Sequence, residues 1–236
     1  MRRSVALLLA LVAPFAVAAS DHEPVVTEAV VAEDVCGDVA ETGEAVAPAH
    51  DLCEVTFRTT TSADAPTRLE ITLRVAGEVD TMDTTTDVRW SGGGCHYDLV
   101  RHVAAEGGSG DVVMVGDPEE AHLWVACGEP RPCTMLVLGV PTVELPGSDC
   151  SIERFPVGAA RVDGDSVTVE VVFTDELVDH GAVVVPGTEL LVDVAAVGPA
   201  APGRVLAGWP RLPGCDPDCG GAVWDTAPPT GAFTVG

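Results

Sequence analysis

The chain has 236 residues, with 37 Asp and Glu against 12 Arg and no Lys, for a formal net charge of −25. That balance repels polyphosphate and excludes a nucleic-acid partner. It suits solubility outside the cell, or the capture of a hard cation such as calcium by carboxylate oxygens.

The chain opens MRRSVALLLALVAPFAVAAS. Arg2 and Arg3 precede an apolar run from Val5 to Val17, and Ala16-Val17-Ala18 has the small-x-small form that signal peptidase cuts. Residues 1–19 therefore read as a secretory signal peptide, too short for a good membrane span. The expectation is a secreted, extracellular chain with no stable membrane insertion after cleavage. Residues 20–50 are acidic, rich in Ala and Val, and lack a clear period. They read as a linker or loosely attached arm whose second half is tied down by Cys36.

From Asp51 the pattern changes to period two. Val55 and Phe57 share a face in DLCEVTFRT. In RLEITLRVAG, Leu69, Ile71, Leu73 and Val75 point one way and Glu70, Thr72 and Arg74 the other, as in a half-buried strand. TDVRWS pairs Val88 with Trp90, and CHYDLVRHV follows a Gly92-Gly93-Gly94 turn. DVVMVGD, AHLWVAC and TMLVLGV are further short strands. In AARVDGDSVTVEVVFT, Asp163-Gly164 reads as a two-residue hairpin turn before the alternating Val167, Val169, Val171 and Phe173. TDELVDHG predicts one helical turn, capped by Thr174 or Asp175 and stopped at Gly181. GTELLVDVAAVG predicts a strand with Leu190, Val192 and Val194 on one side, and GAFTVG is the last strand. The expected fold for residues 51–236 is one all-β domain, an antiparallel two-sheet β-sandwich of Ig-like or jelly-roll-like form.

All eight cysteines follow the leader, and an even count in an exported chain points to disulfides. Spacing suggests Cys36–Cys53, Cys95–Cys150, Cys127–Cys133 and Cys215–Cys219. Pro217 and Gly220-Gly221 speak against a redox helix after Cys215, and a zinc site would need a second close pair.

Several segments resemble the secreted β-sandwich modules grouped with the DOMON and family-9 carbohydrate-binding folds, including the C-terminal module of glucodextranase-like enzymes. They are Gly37-Asp38, Asp51-Leu52, VDGDSVTVEVVFTDEL followed by PGTELLVDVAAVG, and Asp225-Thr226-Ala227-Pro228 before Gly231-Ala232-Phe233-Thr234-Val235. The resemblance implies a single domain with the sandwich fold. It would also allow haem held by Met and His, yet Met82, Met114 and Met135 come with no haem-attachment motif.

Catalytic signatures are sparse. Ser109 in GGSGD lacks the strand-turn-helix frame of a nucleophile elbow, and no H-E-x-x-H is present. His96, Asp98 and His102 would share one strand face. Glu78, Asp80, Asp83 and Asp87 in GEVDTMDTTTD form an acidic, loop-like stretch that could hold calcium, without the frame of an EF-hand. Trp90 and Trp124 fall beside aliphatics and belong to the core. Trp209 and Trp224 flank the Cys215–Cys219 loop and could form a stacking platform for sugar rings. The sequence reads as a secreted non-catalytic binding or surface-interaction module, with polysaccharide or a cell-surface component as the candidate partner. Two alternatives stay open: a secreted hydrolase using acidic residues with calcium, and a structural or protein-interaction domain. Oligomeric state is open.

Overall fold

The computed structural model describes residues 23–38, 47–79, 84–101, 121–127, 151–157, 160–199 and 225–236. The predicted leader, the strands at 111–117 and 134–140, and Cys133, Cys150, Cys215 and Cys219 lie outside the described residues.

The described chain is two antiparallel sheets with almost no helix. The first strand, β1 (Val25–Glu33), lies in the segment read as an arm. It pairs along β2 (Leu52–Ser62), from Val25 opposite Thr61 to Glu33 opposite Glu54. Residues 25–33 of the segment read as a linker or loosely attached arm are thus a strand of the first sheet. An edge strand exposes most of its side chains, so the segment carries no amphipathic period. Its register shifts between Val30 and Ala32, which lets the neighbours Val31 and Ala32 both be buried.

A short 3-10 helix, Pro48–His50, precedes β2. β3 (Ala65–Val75) then buries Leu69, Ile71, Leu73 and Val75 as the alternation requires. Its far neighbour is β9 (Ser166–Val172), which buries Val167, Val169 and Val171. β8 (Arg161–Asp163) completes the order β1-β2-β3-β9-β8. Asp163 pairs with Ser166, so the turn residues are Gly164 and Asp165, one place later than the sequence suggests. Gly164 has φ 61°, the left-handed conformation that favours glycine there.

The second sheet holds β4 (Thr84–Gly92), β5 (Cys95–Arg101), β6 (Ala121–Cys127), β7 (Ser151–Pro156), β10 (Glu189–Pro199) and β11 (Asp225–Thr226), in the order β11-β10-β4-β5-β6-β7. The last strand, β12 (Ala232–Thr234), pairs with β10. The predicted helical turn is α1 (Asp175–Asp179), with Thr174 at its N-cap position and Gly181 at φ 108° just beyond it. In β10 the expected face Leu190, Val192, Val194 is broken. A register shift at Asp193 against β4 moves the buried positions to Leu190, Val192, Ala195 and Val197.

The sheets share one core, joined by a line of aromatic contacts. Phe57 of the first sheet meets Trp90 of the second at 5.8 Å, edge-on, and Phe233 at 5.9 Å. Trp90 stacks on Tyr97 at 5.1 Å, and Tyr97 meets the edge of Phe173 at 6.0 Å. Trp90 is core, as expected; the side chain of Trp124 lies outside the described residues. Burial, with no hydrogen-bond partner for its hydroxyl among the described residues, drives the Tyr97 pKa up, so the phenol stays neutral at any physiological pH.

Two disulfides are present. Cys36 pairs with Cys53, as the spacing suggests. Cys95 pairs with Cys127, which overturns both Cys95–Cys150 and Cys127–Cys133. The reason is register: the two residues are direct cross-strand partners on β5 and β6, with Cα atoms 4.1 Å apart. A cross-strand bond of this kind has no short-spacing signature in the sequence. Among the described residues, no helix is long and apolar enough to cross a membrane.

Candidate functional site

Acidic side chains from three places in the chain converge at one end of the sheets. β1 ends at Glu33, and the chain turns through Cys36 and Gly37, where φ is 92°. This turn carries Asp34 and Asp38. Asp51 lies just ahead of β2, and Asp225 begins β11. One carboxylate oxygen each from Asp34, Asp38 and Asp225 lies within 4.8 Å of the others.

The backbone holds this arrangement. Asp51 Oδ2 accepts the Gly37 N–H at 2.6 Å, which pins the turn against the entry to β2. Asp225 Oδ2 accepts the Leu52 N–H at 2.6 Å, and its Oδ1 accepts the Thr226 N–H at 3.0 Å. The Asp34 N–H donates to the Cys53 carbonyl and the Glu33 N–H to that of Pro228. The Cys36–Cys53 disulfide closes the same corner covalently. Asp225, through Leu52, therefore joins the C-terminal segment to the first sheet.

The electrostatics are one-sided. Burial raises the Asp225 carboxyl to about 6, and the charges of Asp34, Asp51 and Asp38 push the same way against the Leu52 hydrogen bond. Burial also raises Asp51, with Asp38 and Asp34 adding to it. Between the ordinary 3.8 and about 6, folded Asp225 keeps a proton that the unfolded chain has lost. Its contribution to stability is fully present below 3.8 and declines as pH rises through that window. In chelator-treated buffer, the melting temperature of Asp225→Asn should therefore fall less than that of the parent between these two pH values. Melting curves across the window check this, and equal slopes for the two proteins would contradict it.

A second polar cluster lies on the side of the second sheet away from Trp90. Arg89 is the cross-strand partner of Asp98. Its Nη2 stands 2.6 Å from Asp87 Oδ2, and its Nε 3.3 Å from Asp98 Oδ2. Both carboxyls are almost fully buried, at 4% and 3% exposure. Burial, then the charge of Asp87, drives Asp98 well above the usual carboxylate range. Arg89 thus holds two buried carboxyls together, and Asp87 belongs to this ion group. Of the acidic stretch expected to hold calcium, Asp87 is thus a buried strand residue engaged with Arg89, and Glu78 is exposed. Asp80 and Asp83 lie outside the described residues, as do Trp209, Trp224 and His102. His96 is exposed while Asp98 beside it is buried.

Sequence reasoning quoted Gly37-Asp38, Asp51-Leu52 and Asp225 separately and did not join them. A weak signal was available: each is an Asp beside a strand end or a glycine turn, and each belongs to the resemblance. No family model, curated protein or solved structure matches the chain.

Proposed function

We propose that the chain is a secreted, non-catalytic β-sandwich module that binds carbohydrate at an extracellular surface. The observation that supports this reading is the meeting of the motif pieces. Gly37, Asp51, Leu52 and Asp225 carry the resemblance to carbohydrate-binding sandwiches, and they interlock through Gly37 N–H to Asp51 and Leu52 N–H to Asp225. The disulfides support an oxidising compartment, in keeping with the leader.

The aromatics with described side chains are spent on internal packing. The reading assigns sugar stacking to Trp209 and Trp224, which stand in sequence rich in Pro and Gly. The test is a pull-down of the oxidised protein on insoluble polysaccharides and cell walls. Retention on at least one matrix, lost in the Trp209→Ala, Trp224→Ala double variant, is the expected result. Absence of retention on every matrix would end the carbohydrate reading.

A further inference from the structure

We propose that the groove between the β2–β3 turn and the segment after α1 binds a small organic cation with an apolar body. The groove has a volume of about 400 Å³, within the range of ligand pockets. Residues 63–67 of the turn line it from one strand pair, and Val178 of α1 with residues 183–185 line it from the other direction. Phe173, buried at the end of the core's aromatic line, contributes as well.

Apolar exposure gathers here. Val178, Val183 and Val185 are 43%, 43% and 50% exposed, and they are three of the eight large apolar side chains exposed among the described residues. Burial alternates after α1: Ala182 and Val184 turn in, and Val183 and Val185 turn out beside Val178. Hydrogen bonds fix both walls. The Ala182 N–H donates to the Leu177 carbonyl at 2.9 Å, and the Val185 N–H to Thr188 Oγ1 at 3.0 Å. The Phe173 N–H donates to the Thr67 carbonyl at 2.9 Å. Gly93 of the β4–β5 turn packs so closely on the Val183 carbonyl that a Cβ there would collide with it. A groove held this way is formed before a ligand arrives, which lowers the cost of binding.

The rim sets the sign of the ligand. Asp64 and Asp175 line the groove, and no basic side chain does. Neither carboxylate has an ion pair among the described residues, whereas Glu28, Glu54, Glu70 and Glu170 on the first sheet are each met by an arginine. A ligand with a cationic head and an apolar body satisfies the carboxylates and the valines together. A neutral hydrophobe would forgo the first and a metal ion the second. The formal charge of −25 also draws organic cations and repels anions.

This inference is separate from the carbohydrate reading, since it uses neither Trp209 nor Trp224. The test titrates the full oxidised chain, labelled with nitrogen-15, with alkyltrimethylammonium salts from butyl to octyl below their micelle concentrations. Alkyl sulfates and alkanols of the same lengths serve as controls. The cations should give saturable, one-to-one shifts of the Asp64, Thr67, Val178, Val183 and Val185 amides, and affinity should rise about twofold to fourfold per methylene. The controls should bind clearly more weakly. The Asp64→Asn, Asp175→Asn double variant should lose about threefold to tenfold in affinity for the octyl cation. The Val183→Ser, Val185→Ser double variant should lose about fivefold or more. All four positions are exposed, so both variants should melt close to the parent. Unsaturable shifts scattered over the acidic surface, equal binding of the sulfates or alkanols, or an undiminished affinity in either variant would each overturn the proposal.

Discussion

Arg89→Leu is expected to destabilise the protein by about 3–5 kcal/mol, because it removes the single partner of a buried charge pair and leaves the carboxyls behind. Arg89 bridges Asp87 at 2.6 Å and Asp98 at 3.3 Å, and both acids are nearly inaccessible to water. Without the guanidinium, Asp87 must take up a proton or bring water into the sheet. Asp98→Asn is the informative control. Burial and the charge of Asp87 raise the Asp98 carboxyl, so an amide there replaces an anion that the site already disfavours and should cost only about 1 kcal/mol. Urea unfolding near neutral pH measures both. An Arg89→Leu cost no greater than that of Asp98→Asn would show that the ion group is better solvated than its burial indicates.

Trp90→Ala should cost a similar amount, about 3–5 kcal/mol, through lost transfer energy and a residual cavity. Trp90 is 0% exposed and sits where the sheets meet, stacked on Tyr97 and against the edge of Phe57. Removing it unseats the middle of the aromatic line that continues to Phe233 and Phe173. Near-UV circular dichroism should lose the corresponding signal, and the urea midpoint should drop without a change of slope. A loss below about 1 kcal/mol would mean that the facing strands collapse into the gap, which close packing of the core argues against.

Both effects depend on features that differ in legibility. β3 and β9 were readable because each buries one face and exposes the other, so Leu69, Ile71, Leu73 and Val167, Val169, Val171 alternate cleanly. β1 was not, because an edge strand with few buried residues shows composition without period. Asp87 looked like a loop ligand because acids surround it, although the preceding run of threonines already favours a strand. The strand places Asp87 on the face opposite Trp90, buried against Arg89, and chemistry at that position follows from register alone.

The aspartate corner shows the same limit. Leu52 and Asp225 are separated by 173 residues and meet only because β11 returns beside the first sheet. Periodicity describes one strand at a time and carries no information about which strand ends coincide. The Cys95–Cys127 bond escaped for the same reason, since it depends on β5 and β6 being neighbours in register. The Cys36–Cys53 bond was found because the strand entry at Asp51 lies close in sequence to the turn it holds.

If the aspartate corner fastens β1 and β11, its loss must be felt locally. Hydrogen–deuterium exchange read by mass spectrometry, on the parent and on Asp225→Ala, tests this. The variant should speed exchange of the Leu52 amide, which donates to Asp225, and of the neighbouring Glu33 and Asp34 amides, which donate to Pro228 and Cys53. The central strands β3 and β9 should change little at matched sub-denaturing conditions. Faster exchange spread evenly over both sheets, or none at β1 and Leu52, would contradict the account of the corner.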